Sequence, residues 1–252
     1  MSWTIEKTKL ELDINKPLLI VGLPGIASVG KIVVDFIIES KKAKCIAKFH
    51  SHSMPHTVFV NESNLIEMPR IELYLLKNKE NDLLLLSGDA QPIDERAAHE
   101  FCETILNYCK ELGCKNVVSI GGIALKRIPK KPKLYATGTN KKVINDFCKN
   151  TSCDPNVYGI VGPIIGITGL IAAKAGEQNL QNICLLAETY GHPFYLGIPS
   201  AKEVLKLFNT KYKLELDLSS LDEEIKDMEA DLLRFSSLKV KHPVDKETSY
   251  IG

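Results

Sequence analysis

Apolar residues recur along this chain in two rhythms, short continuous runs that stop at glycine or polar turns and longer stretches with helical spacing. The run Leu18-Leu19-Ile20-Val21 stops at Gly22 and reads as a buried strand. The helix-length segment that follows holds Ile32, Val33, Val34, Phe36, Ile37 and Ile38, which is more than one apolar stripe, so a second layer or another subunit must cover it. Residues 1–16 alternate polar and apolar (Trp3, Ile5, Leu10, Leu12, Ile14), as an edge strand does. Strands are predicted over 43–49, 57–60, 71–76 and 82–87, the last two joined by the polar turn 78–81. Asp94 is placed to cap a helix in which Ala98, Phe101, Cys102, Ile105, Leu106, Cys109 and Leu112 recur every three or four residues until Gly113.

Further along, 117–120 reads as a strand closed by Gly121-Gly122, 158–162 as a strand entering a second glycine loop, and 182–187 as a late strand. The helix between the last two carries Gly169, Ala172, Ala173 and Ala175, small enough to lie close against a sheet. Ser200 with Glu203 and Ser220 with Glu223 have capping-box spacing, and the second pair opens a helix with Leu221, Ile225, Met228 and Leu232 on one stripe. Strands alternating with helices over 1–235, without repeat or linker, predict one α/β domain, a mixed sheet flanked by helices on both faces. From 236 to 252 charges and a proline replace large apolar residues, which predicts a flexible C-terminal tail.

Composition narrows the function. A 44% hydrophobic chain of 252 residues can bury a core that needs neither disulfide nor metal. Its net charge of +1 provides no broad field for nucleic acid. No apolar run approaches about 18 residues and no basic-then-apolar leader opens the chain, so neither membrane insertion nor export is expected. The seven cysteines are odd in number and lie mostly among apolar neighbours, as Cys45, Cys102, Cys109 and Cys184 do, which predicts reduced core thiols in a cytoplasmic protein. Cys148 and Cys153 flank a loop and could approach each other, but no disulfide is expected in a reducing compartment.

Several clusters could carry chemistry. Gly25-x-x-x-x-Gly30-Lys31 has the spacing of a phosphate-binding loop, but Ile32 stands where that motif needs a Ser or Thr for magnesium. The structural reading is that Gly22 and Gly25 permit a tight turn, Ser28 caps the helix and Gly30 lets it lie against the sheet. His50, His52 and His56 could ligate a metal, yet no Cys, Asp or Glu stands within that cluster. The basic run 126–133 with Tyr135 could meet phosphates and a base, although a proline-broken run also suits a solvated loop. Asp89, Glu188 and His192 end strands and could do acid–base work of nucleosidase or phosphorylase type. No nucleophile or substrate motif joins them, so no catalytic residue, metal or cofactor is assigned.

The order Gly-Leu-Pro-Gly-Ile, then Val-Gly-Lys and an apolar helix at 22–38, resembles the opening of the proteasome assembly chaperone family, in particular the archaeal single-domain relatives of the second eukaryotic chaperone. Leu84-Leu85-Leu86-Ser87-Gly88-Asp89-Ala90-Gln91-Pro92, Gly121-Gly122, the loop from Gly162 to Leu170 and Leu185-Leu186-Ala187-Glu188-Thr189 resemble its later landmarks, in order. The resemblance implies a fold similar to that of the purine nucleoside phosphorylases without their catalytic residues. It implies structural glycine loops at Gly22, Gly25, Gly30, Gly162, Gly166 and Gly169. It also implies a homo-oligomeric, non-enzymatic chaperone that binds proteasome α-subunits. In that family a C-terminal hydrophobic-Tyr-any triplet enters pockets between α-subunits. This chain ends Tyr250-Ile251-Gly252, with the tyrosine third from the end; docking is expected of these three residues, and the departure from the pattern leaves gate opening undecided.

Overall fold

The computed structural model describes residues 3–8, 13–226 and 228. The chain forms two compact units, Met1–Leu216 and Asp217–Gly252. The first contains strands β1 (Trp3–Lys7), β2 (Leu18–Gly22), β3 (Lys44–Ser51), β4 (Phe59–Val60), β5 (Ile66–Glu67), β6 (Ile71–Leu76), β7 (Leu83–Gly88), β8 (Asn116–Leu125), β9 (Leu134–Thr137), β10 (Cys153–Asp154) and β11 (Gln181–Tyr190). Its helices are α1 (Val29–Lys41), α2 (Glu95–Glu111), α3 (Lys141–Cys148), α4 (Ile167–Glu177) and α5 (Ile198–Tyr212).

Nine strands form one sheet in the order β1-β3-β6-β7-β2-β8-β11-β9-β10, and β4 with β5 forms a separate hairpin. The centre is parallel: β7, β2, β8 and β11 run the same way. Antiparallel pairs extend it through β6, β3 and β1 on one side and β9 on the other, so the sheet is mixed, as the sequence predicts. Every residue of β2 and β7 is buried, because helices cover both faces of a parallel centre. Leu19, Val21, Leu84 and Leu86 pack with Phe101 and Ile105 of α2 and Ile171 of α4. Their alternate neighbours Leu18, Ile20, Leu83 and Leu85 are buried on the face of α1 and α5, with Val33, Val34, Ile37, Val204, Leu205 and Phe208. Of the apolar residues of α1, Val33, Val34 and Ile37 are thus buried inside the chain, where α5 packs on α1, while Ile32, Phe36 and Ile38 stay half-buried.

Four expectations need correction. β8 runs on through Gly121-Gly122 to Leu125, because the neighbouring β11 pairs with it along its whole length. Residues 158–162 make only an isolated bridge, Tyr158 to Val161, and form a turn. Ser200 lies inside α5, which begins after Gly197 with proline in its first turn; its hydroxyl donates to the Glu188 carbonyl at 2.7 Å. In the second unit the helix starts at 219, before Ser220, and the Asp217 carboxylate accepts the Ser219 N–H at 3.0 Å. Asp94 does cap α2, accepting the Ala97 N–H at 2.8 Å. All seven cysteines are free thiols, six of them buried, Cys148 and Cys153 included. Leu232, the boundary drawn at 235 and the segment 236–252 lie outside the described residues.

Candidate functional site

The two glycine loops open at the carboxyl end of the parallel strands, where β2 is flanked by β7 on one side and β8 on the other. Such a reversal of strand order leaves a crevice. Gly22 ends β2 directly beneath α1: a Cβ there would lie 2.1 Å from the Gly30 carbonyl oxygen and 2.5 Å from Val34 Cγ2. A Cβ on Gly30 would lie 2.6 Å from the Ile120 carbonyl oxygen of β8. Both are glycine because helix and sheet touch through their backbones. In the second loop Gly166 has φ +87°, and a Cβ on Gly169 would lie 2.7 Å from the Ile164 carbonyl oxygen. Gly25 and Gly162 differ: nothing lies within 4 Å of a Cβ at either, and Gly25 has the ordinary extended φ of −160°. The tight turn falls instead on Ala27 and Ser28, both left-handed at φ 51° and 52°. In that conformation Ser28 occupies the N-cap position of α1 without its side chain capping, which corrects the expected role.

Gln91, in the loop after β7, ties these loops together. Its Oε1 accepts the Ile167 N–H at 3.0 Å at the start of α4, and its Nε2 donates to the Pro24 carbonyl. Between them lies a cleft of about 530 Å³ walled by Ile26, Val29, Ile123, Ile160, Ile164 and Leu186, with the backbone of Gly121-Gly122 as its floor.

Lys31 does not face this cleft. Its ammonium lies 2.9 Å from Asp35 and 3.2 Å from Asp89, in a smaller polar cleft of about 210 Å³ that also holds Arg70, Glu72, Tyr74 and Ser87. Burial works to raise the Asp89 pKa, but the Arg70 N–H at 3.0 Å and the charges of Lys31 and Arg70 outweigh it and hold the carboxyl below its usual range. Burial, then the bond from its hydroxyl to Glu72 at 2.6 Å, pushes Tyr74 up. The cations of this cluster are paired with its carboxylates, and its lysine is committed to Asp35 and Asp89 rather than to a phosphate.

The acid–base candidates do not converge. Glu188 accepts the Lys133 N–H at 3.1 Å and the Tyr135 hydroxyl at 3.2 Å, and His192 stacks on Tyr190 with ring centroids 5.5 Å apart. Asp89 follows β7, three strand spacings from β11, which is roughly 14 Å. His50 pairs with Glu6 of the adjacent edge strand at 3.1 Å. Among the described residues no group of three or more His, Cys, Asp or Glu is placed to hold a metal ion.

What the carboxyl end does carry is apolar surface. Ile26 after β2, Ile93 after β7, Ile128 after β8, Ile160 and Ile165 before α4, and Phe194 and Leu196 after β11 are all exposed. Between β3 and β6, at the same end, the β4–β5 hairpin exposes Val58, Phe59, Val60, Leu65, Ile66 and Met68. The largest apolar patch of an ordinary monomer covers about 300–600 Å², and concentrations beyond that mark contact surfaces. Sequence patterning missed these residues because single apolar residues in loops have no period. The one available signal was their recurrence directly after strands.

Fold and site together define an open-sheet α/β domain with two backbone-packed glycine loops and an apolar rim at the carboxyl end. The chain belongs to the PAC2 family, whose model matches residues 19–235. It is similar to Pyrococcus furiosus PbaB, described as an archaeal proteasome activator, with 28% identity and a TM-score of 0.85 over 93% of this chain and 99% of that one. Pyrococcus furiosus PbaA, described as an archaeal homolog of proteasome-assembly chaperone, shares the fold at 19% identity and a TM-score of 0.77, over 96% of this chain and 94% of that one. The uncharacterized protein MJ1210 of Methanocaldococcus jannaschii is 26% identical over 250 residues, 95% of this chain and 93% of its own.

Proposed function

We propose that this chain is a non-enzymatic binding protein of the proteasome core, a cytoplasmic homo-oligomer that contacts α-subunits during assembly or activation. The observation that carries the reading is the likeness to PbaB across nearly the whole of both chains, in sequence as well as fold. Two features of this chain support it. Asp89, Glu188 and His192 are each engaged in separate contacts, while the carboxyl end presents apolar surface suited to docking. No helix among the described residues is long and apolar enough to cross a membrane.

Two contacts are assigned, one from the folded domain and one from Tyr250, Ile251 and Gly252. An aromatic anchor with few rotors beside an aliphatic neighbour can bury area on a partner. Surface plasmon resonance on purified α-rings, comparing the full chain with a version ending at Ser249, tests both. The shortened chain is expected to bind more weakly but measurably. Equal affinities remove the tail contact, and no binding by either chain removes the proteasome reading.

A further inference from the structure

The loop from β8 to β9 holds five cations, Lys126, Arg127, Lys130, Lys131 and Lys133, in eight residues of a chain whose net charge is only +1. All five are exposed, and among the described residues none enters an ion pair. Elsewhere Lys31, Lys77 and Lys174 lie within 3.2 Å of carboxylates. The loop is also held in shape. Pro129 and Pro132 fix two of its φ angles, Pro132 is buried, and the Lys133 backbone is bonded in both directions to Glu188, at 3.1 Å and 2.9 Å. A cationic loop already ordered loses little freedom on binding.

Its neighbours are apolar. Leu125 at the end of β8 is paired with Tyr190 at the end of β11, and the Gly191 N–H donates to the Leu125 carbonyl at 2.9 Å. The segment after Gly191 therefore starts beside the cationic loop, and it presents Phe194 at 89% and Leu196 at 52% exposure, while Ile128 stands within the loop itself. We propose that this corner is a docking surface for an acidic segment of a partner protein whose carboxylates are interspersed with apolar side chains. The unpaired cations fix the sign of the partner, and the apolar flank fixes its kind. A nucleic-acid backbone calls for a positive field spread along a face, whereas here the cations are confined to one loop and edged by side chains that a phosphate backbone does not engage. The inference deepens the proposed function, on which it rests only for the identity of the partner.

The test follows fluorescence anisotropy of three labelled probes against the full chain: a short peptide of Glu with interspersed Leu, its Lys and Leu counterpart, and a single-stranded oligonucleotide of similar length. The acidic peptide is expected to bind and to weaken as salt rises. A variant with Lys126→Gln, Arg127→Gln, Lys130→Gln and Lys131→Gln should lose at least about tenfold in affinity for it. Phe194→Ser with Leu196→Ser should weaken binding while leaving its salt dependence intact. No binding of the acidic peptide, equal binding by the Gln variant, or tighter binding of the oligonucleotide would overturn the proposal. The same proteins on α-rings separate the two readings: a native chain that binds the acidic peptide but not α-rings keeps this surface and removes the proteasome as its partner.

Discussion

Asp82 is a single carboxylate on which a whole corner of the chain depends. It is buried at the start of β7 and accepts the Asn15 N–H at 2.8 Å, the Asn78 N–H at 3.1 Å and the Lys77 ammonium at 2.7 Å. Burial works to raise its pKa, but these three donors outweigh burial and lower it. A carboxyl lowered in the folded state adds stability that is present above the unfolded value, near pH 4, and is lost as pH falls through the lower folded value. Asp82→Ala should therefore cost about 1–3 kcal/mol in urea denaturation at pH 7, since it removes the hydrogen bonds of a buried carboxylate. The deficit should shrink below about pH 4, and an equal deficit at pH 3 would disprove the account. The glycines make a second residue-scale contrast. Gly30→Ala drives a methyl into the Ile120 carbonyl and should cost about 1–3 kcal/mol, while Gly25→Ala meets open space and should be neutral or stabilise by about 0.4–1 kcal/mol. Spacing alone made the two glycines look alike, because a motif records where glycine stands and not what a Cβ there would touch.

Among elements, the long ones were legible in the sequence and most of the short ones were not, β4 within the predicted 57–60 being an exception. β2, β7, α1 and α2 announce themselves because continuous or periodic apolar runs have no other way to be buried. β9, α3 and β10 went unrecognised. They are four, eight and two residues long, and the edge position of β10 lets its sequence be half polar. The ends of elements were misread wherever tertiary pairing overrode local chemistry, as when β11 carries β8 through two glycines. Gln91 could not have been read as a tie from sequence, since its partners Pro24 and Ile167 lie 67 and 76 residues away. Its role predicts that Gln91→Leu uncouples the two glycine loops. Hydrogen exchange should then quicken at the Ile167 amide and through the start of α4 while β2 and β7 keep their protection. Unchanged exchange at Ile167 would mean that the loops are held without it.

On the scale of the whole molecule, apolar surface has moved from where the sequence placed it. The stripes of α1 called for a second layer or another subunit, and α5 packs on that helix; the exposed apolar residues lie instead in loops and the β4–β5 hairpin. The β4–β5 hairpin concentrates six of them, from 43% to 72% exposed, on a two-stranded piece that would be marginal in water by itself. Asn61 stiffens its turn, accepting the Ser63 and Leu65 N–H groups at 3.0 Å and 2.9 Å, so the side chains are presented on a formed scaffold. Six exposed apolar side chains concentrated on one hairpin are what a contact surface requires. The self-association proposed above would fall to this hairpin and the acidic partner to the cationic corner, two surfaces that can be broken independently. Light scattering at micromolar concentration should give the native chain a multiple of the monomer mass. Ile66→Ser with Met68→Ser should reduce it to the monomer while leaving the melting temperature of the sheet domain nearly unchanged, because neither side chain belongs to its core. A native chain that scatters as a monomer removes self-association from the proposed function. A double variant that keeps the oligomeric mass moves the interface to another part of the rim.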